Sequence, residues 1–499
     1  MNQNKVALLP LAIATALLGA CAVPLQPISE AERQATLAED QRLMFGSQEA
    51  LAGTLSLDEA MARALKYNLD YRVKLMEEAL AQRQFDLAGM EMLPKLALAA
   101  GYSSRNNDSA SSSQDVATGQ QSLVPSISSE RRHSTADLNL SWNVLDFGVS
   151  YYGAQQQADR LLILRERKRK VSHQLMQQVR QAYWQAVGAQ QLEKPVETLL
   201  RDAEAALADA RKVEQEKLRA PLEALNYQRQ LLDVIRQMSL IRSSLVQAKP
   251  RLAAIMNLAP ASRFSVGTPT ELRMPGLGLS LDKMEEVALL NRPELMEARY
   301  NQRISKLETK KAMARLFPGL EFSLGEHYDS NKFLVNQGWS DAGLRLSWNL
   351  LNLANAGKIR RSADAQLKVA EEQRMALNMA VLTQVHVAWL DYQGRSRQYE
   401  LERDLNQVEQ RILDQTRNAA QSSAQGKLQA ILANANAVLS QLRLFQSYGE
   451  LQNAYGQIGA TLGLDALPQT ASGHDLPALT RALQGAESSW QGKLAGEGQ

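Results

Sequence analysis

Leu138-Asn139-Leu140-Ser141-Trp142-Asn143 returns later in the chain as Leu344-Arg345-Leu346-Ser347-Trp348-Asn349, and this recurrence decides the fold. Both hexapeptides alternate apolar with other residues, which is the period of a strand. The displacement of 206 positions then holds without a gap through Val179/Val385, Ala182/Ala388, Tyr183/Trp389, Leu222/Leu428, Ala224/Ala430 and Leu258/Leu464. A register kept over that distance is an internal duplication. Upstream, Leu55-Ser56-Leu57-Asp58 recurs as Leu279-Ser280-Leu281-Asp282, and Pro94 with Leu96 as Pro318 with Leu320, displaced by 224. The first copy therefore carries 18 extra residues between Pro94 and Leu138, in the Ser/Asn/Gln-rich stretch Ser103 to Ser134, which is expected to be a solvated loop.

Each copy is expected to run helix, strand, strand, long helix, turn, returning helix. Leu57 to Met92 is helical by composition and stops before Pro94, because a proline disfavours helix at the residue preceding it. Strands are expected at about 95–104, 136–145, 319–328 and 341–350; roughly ten residues is the length a tilted strand needs to cross a bilayer. Helical periodicity then returns: Leu192, Val196, Leu199, Ala203, Ala206, Ala210 and Val213 follow a heptad seam, and Leu401, Leu405, Val408 and Ile412 begin its counterpart. A helix from about Gly153 to Glu216 would be on the order of 95 Å long, with Pro195 expected to kink or interrupt it. The return helices show Leu222, Leu225 and Leu232, and Leu428, Ile431, Ala435, Val438 and Leu442. The turns fall near Lys217 to Pro221 and Ala424 to Lys427.

The start reads as an export signal: Lys5, an apolar run from Val6 to Leu18, then Gly19 and Ala20. Cys21, the only cysteine of the 499 residues, follows directly, as in a lipobox whose thiol takes up lipid. By resemblance to sorting in Gram-negative envelopes, Ala22 rather than aspartate after it implies passage to the outer membrane. The domain plan is a signal peptide at 1–20, a lipid-anchored segment at 21–54, repeats at 55–260 and 279–465, a linker at 261–278 and a C-terminal tail at 466–499. No stretch is long and apolar enough for a membrane-spanning helix. A formal charge of +3 gives no nucleic-acid surface, and Arg165 to Lys170 is expected to be a solvated helix face. His133, His173, His327, His386 and His474 are scattered without ligand spacing. Gly276-Leu277-Gly278 lacks the third glycine of a dinucleotide site, so a linker is expected there; neither enzyme chemistry, metal nor cofactor is expected.

Four membrane-length strands leave unpaired N–H and C=O groups at both sheet edges, and lipid cannot satisfy them. Closure requires further copies of the chain, whose long helices then surround the same axis.

These features together resemble the TolC-like outer membrane factors, lipoprotein branch, which are exit ducts of tripartite efflux pumps and type I secretion systems. The resemblance covers roughly Leu55 to Leu464. It implies a mainly α fold with a transmembrane β-barrel contribution, in which a homotrimer builds a twelve-stranded barrel and an α-helical barrel. It further implies that the hairpin tips, with Lys217, Arg219, Pro221, Gly426 and Lys427, meet a periplasmic adaptor bound to an inner-membrane pump of the RND or ABC type. Some members carry two aspartates after the second tip. Gln429 and Leu432 match those positions and Glu223 matches Gln429 in the first copy, so the periplasmic gate falls here without that acidic ring. Trp142 and Trp348 are either aromatics at the barrel rim or packed between helices below the membrane. A periplasmic adaptor, with one hairpin and many short strands, and a coiled-coil envelope scaffold are the alternatives.

Overall fold

The computed structural model describes residues 25–51, 53–216, 220–419, 424–465 and 475–495. Helix α1 (Glu30–Phe45) and strand β1 (Thr54–Leu55) precede the first copy. That copy contains α2 (Leu57–Tyr67), α3 (Leu69–Met90), β2 (Lys95–Ser104), a small hairpin of β3 (Ala110–Ser111) and β4 (Ser126–Ile127), β5 (Arg132–Asn143), α4 (Val144–Gln215) and α5 (Pro221–Ile255). After β6 (Ser265–Val266) comes the second: α6 (Leu281–Asn291), α7 (Pro293–Ala314), β7 (Gly319–Asp329), β8 (Gly338–Ser347), α8 (Leu350–Ala354), α9 (Ala356–Ala419) and α10 (Ala424–Thr461). Helix α11 (Leu476–Ala495) follows, and no helix among the described residues is long and apolar enough to cross a membrane.

Local chemistry explains where the elements depart from the sequence expectation. The helix expected over 57–92 is broken at Asn68, whose backbone leaves the helical region and whose side chain accepts from the Tyr71 N–H. Arg292 makes the same break in the second copy, forced by Pro293 behind it. The strands expected at 136–145 and 341–350 both stop early, at Asn143 and Ser347. Asn143 Oδ1 accepts from the N–H groups of Leu145 and Asp146, and Asn349 Oδ1 from those of Leu351 and Asn352, so each asparagine starts a helix instead. Pro195 does not interrupt α4, which runs for 72 residues, or about 110 Å. Its neighbours Leu192, Val196 and Leu199 are fully buried, and that packing holds the helix through the missing hydrogen bond.

The helices lie four abreast. Next to the sheet the order is α3, α4, α7, α9; towards the tips it is α5, α4, α10, α9, so the two longest helices run through both tiers. The tip-side tier has an apolar centre of Leu192, Val196, Leu199, Val234, Met238 and Val438. The sheet-side tier is latched by charge. Arg165 and Lys168 pair with Glu78, Arg167 with Glu297, Lys170 with Glu294, and buried Asp159 takes Arg303. The basic run from Arg165 is therefore a half-exposed face whose cations are also paired across helices, because α3 and α7 bring their acids alongside it.

The outer edges of this layer remain apolar. On α3, Leu69, Val73, Met76, Leu80 and Leu87 form an exposed heptad seam, and Leu222, Leu225, Leu232 and Leu240 are exposed on α5. On α9 the expected seam residues Leu401, Val408 and Ile412 are likewise exposed. The α5 face that is buried is instead Ala224, Leu231, Val234, Met238 and Ile241, since α4 is its main neighbour.

Strands β2, β5, β7 and β8 form one antiparallel sheet in that order. Its register stacks Leu96, Leu140, Leu324 and Leu98, Leu138 on one face, joined by Trp142, Phe322, Leu344 and Leu346. That face is largely exposed and mainly apolar, with Glu326 standing on it opposite Leu138. The opposite face carries Asn139, Asp137, Ser323, His327, Asp341 and Arg345.

A third region girdles the middle. β1 pairs with β6, and the Tyr183 hydroxyl donates to the Gly267 carbonyl at 2.8 Å, that of Tyr399 to Leu272 and that of Tyr448 to Arg273. Burial pushes the Tyr183 and Tyr448 hydroxyls up to about 12, so both stay protonated donors at ordinary pH. Gly278 is required where it stands: its N–H donates to Leu494, and a Cβ there would run into the Ala495 carbonyl.

Candidate functional site

Three places deserve description as a site: the polar face of the sheet, its helix-side rim and the far tips. On the polar face, His327 from β7 lies between two carboxylates. Its Nδ1 is 2.6 Å from Asp137 Oδ1 on β5, and its Nε2 is 3.1 Å from Asp341 Oδ2 on β8. The imidazole stacks on Trp339, centroids 5.1 Å apart at 17°. Gly325 makes the arrangement possible, because a Cβ there would come within 2.9 Å of Asn139 Oδ1 and Asp341 Oδ1 and closer still to His327 Nε2. One step further out, His133 Nδ1 meets Asp329 Oδ1 at 2.9 Å.

Sequence reasoning saw five scattered histidines, and the fold gives every described one a carboxylate: His173 meets Asp465 and His386 meets Glu285 as well. His474 lies outside the described residues. The missed signal at the sheet was the alternation of Asp137 and Asn139 with leucines. What could not be read was the cross-strand register that sets His327 opposite Asp137.

At the helix-side rim, Trp142 is on the apolar face, opposite Phe322 and edge-on to Phe147 at 6.0 Å. Trp348 lies just past β8 and its indole N–H donates to the Leu316 carbonyl at 2.9 Å. Both are about two-fifths to one-half exposed, at 39% and 49%, so neither is packed away between helices in the single chain.

At the tips, Pro221 opens α5 and is exposed, its ring occupying the first helical position where no N–H is needed. Glu223 lies in the same turn. Gly426 and Lys427 belong to the first turn of α10, and Gln429 is exposed just beyond. Glu223 and Lys427 line one hollow of about 110 Å³ with Asp209, Val213 and Tyr227, so the structure gathers residues of both tips. Leu432 is placed differently. It is half-buried against the apolar clusters around Leu192 and Leu231. Lys217, Arg219 and Cys21 lie outside the described residues.

Residues 60–258 match the sequence profile of the family described as outer membrane efflux protein. Over that stretch, and only there, the sequence is similar to the outer membrane efflux protein family. No curated protein sequence matches it. Among solved structures, the CmeC outer membrane channel of Campylobacter jejuni is similar over 89% of this chain and 93% of its own, at 13% identity and a TM-score of 0.64. The outer membrane protein VceC of Vibrio cholerae covers 82% of this chain and 96% of its own, at 15% identity and TM-score 0.61. The MtrE outer membrane channel of Neisseria gonorrhoeae, in its open state, covers 80% and 88%, at 16% identity and TM-score 0.56. At such identities the likeness is one of fold. The family match lies within the first copy, and the solved-structure matches extend over both copies.

Proposed function

We propose that this chain is an outer membrane efflux protein, three copies of which close into a passive exit duct from periplasm to exterior. The observation that carries the proposal is the pair of open edges. Among the described residues β2 and β8 each have one in-chain neighbour, and they run in opposite directions, so β8 of one copy can pair antiparallel with β2 of the next. Closure in this way satisfies the backbone groups that lipid would leave bare, and three copies bring the sheet to twelve strands. It puts the apolar face towards lipid and the polar face around the lumen. The same rotation brings the exposed seams of α3 and α5 against that of α9, continuing the barrel as a helical cylinder.

In this reading Cys21 carries the lipid anchor, and Trp142 and Trp348 ring the barrel at the lipid interface. The tips, with Lys217, Arg219, Pro221, Gly426 and Lys427, meet a periplasmic adaptor bound to an inner-membrane pump, and the partners open a gate formed near Glu223 and Gln429. Leu432 serves the packing of the hairpins rather than the pore surface. The protein itself hydrolyses nothing. An adaptor or an envelope scaffold would have no use for an exposed apolar sheet face ten residues deep. Purified protein in detergent tests the proposal: trimeric particles with a central hole and a β-signal that survives until heating are expected, and a monomeric rod overturns it.

A further inference from the structure

The duct reading places the polar face of the sheet around the lumen, and the following rests on it. We propose that His327, held between Asp137 and Asp341, is a proton-controlled charge on the wall of the exit, setting how strongly the barrel favours cations. In each copy the cluster joins three strands, so three such clusters ring the lumen at one level near the external loops.

The geometry is built rather than incidental. The imidazole has a carboxylate at each nitrogen, an aromatic ring against its face and a glycine beneath it, and each comes from a defined register position. Trp339 and Gly325 fix the ring plane, so Nδ1 hydrogen-bonds with Asp137 while Nε2 lies within ion-pair distance of Asp341 without an aligned hydrogen bond. The remaining groups facing His327 are countable. From β5 come Asp137, Asn139 and, further out, His133; from β7, Asp329, which His133 already engages; from β8, Asp341. On the far side β2 places only Ala97, Ala99 and Gly101 opposite Asn139, Asp137 and Thr135. Towards the helices this face carries two bases, Lys95 on β2 and Arg345 on β8, the latter paired with Glu321 at 4.0 Å. With His327 neutral, the charge of two carboxylates faces the passage; with it protonated, one of them is cancelled. Rings of side-chain charge set ion preference in pores, and low-dielectric barrel walls strengthen their field.

The test uses the full-length trimer in planar bilayers, with cation preference read from the reversal potential across a potassium chloride gradient between acid and mildly alkaline pH. Cation preference is expected to rise with pH in the unmodified protein. His327→Gln should flatten that rise, and His133→Gln should leave it. Asp137→Asn and Asp341→Asn should each lower the cation-over-anion permeability ratio at high pH by roughly two-fold. Intact trimers of all four variants are confirmed first by their heat-sensitive migration. A pH step that survives in H327Q, or one that H133Q abolishes, overturns the inference while leaving the duct intact. Failure of the unmodified protein to form any pore, with particles that have no central hole, removes the duct reading instead.

Discussion

Asp58 shows how one side chain couples distant parts of the chain. It sits in the first turn of α2 beside Glu487 and Gln484 of α11, with Arg180 of α4 near; Arg180 Nη2 donates to Glu487 at 2.9 Å. Burial, then the neighbouring Glu487 charge, push the Asp58 carboxyl up from 3.8 to about 6. The raised value has a definite sign. Between 3.8 and about 6 the folded protein holds a proton that the unfolded chain has lost, so stability falls as pH rises through that window and is level above it. Docking of α11 should therefore be weaker at neutral pH than at pH 5. Amide hydrogen exchange over residues 476–495 should report faster opening at the higher pH, and Asp58→Asn should abolish the difference. Equal protection in the unmodified protein at both values would show that the proton is not shared there.

Among elements, the contact of α4 with α10 depends on two glycines used reciprocally. The site of a Cβ at Gly188 lies 3.1 Å from Phe445 Cβ, and at Gly449 the same distance from Trp184 Cβ. Each helix thus receives one aromatic of the other, and Trp184 packs edge-on against Tyr448 at 4.8 Å. Gly449→Val would force these helices apart where they cross from the girdle into the tip-side tier. A loss of about 1–3 kcal/mol is expected for such overpacking, read as a lower melting temperature in detergent. Gly394→Val, with open space around its Cβ, is the control and should cost less. Neither glycine stands out in the sequence, since a glycine within a helix reads only as a weak helix former.

For the whole molecule, the decisive property is that its lateral edges are unfinished. Exposed leucines recur along α3, α5 and α9, while the helices between them bury their seams inside the chain. A charge placed on an edge should block assembly and leave the protomer folded. Leu232→Glu and Leu401→Glu are expected to give monomers by size-exclusion chromatography in detergent with helical content unchanged. Leu37→Glu on α1, equally exposed but away from the layer, should still give trimers. Trimers from both edge variants would mean that the seams are not the contact.

Sequence alone determined the duplication and the four long strands, because those depend on local periodicity, as in the alternation near Leu138 and Leu344; the expectation of a second turn at Ala424 to Lys427 falls too late, since those residues already belong to α10. The sequence also carried the expectation that a four-stranded sheet placed in lipid needs further copies to satisfy its edges. Tertiary structure decided everything that depends on which residues meet across elements. The basic run Arg165 to Lys170 gained ion-pair partners because α3 and α7 supplied acids from far along the chain. Leu432 lies half-buried against the clusters around Leu192 and Leu231, and His327 found Asp137 through a strand register that no spacing in one dimension encodes. Periodicity fixes the face on which a side chain stands; only the fold fixes what stands opposite it.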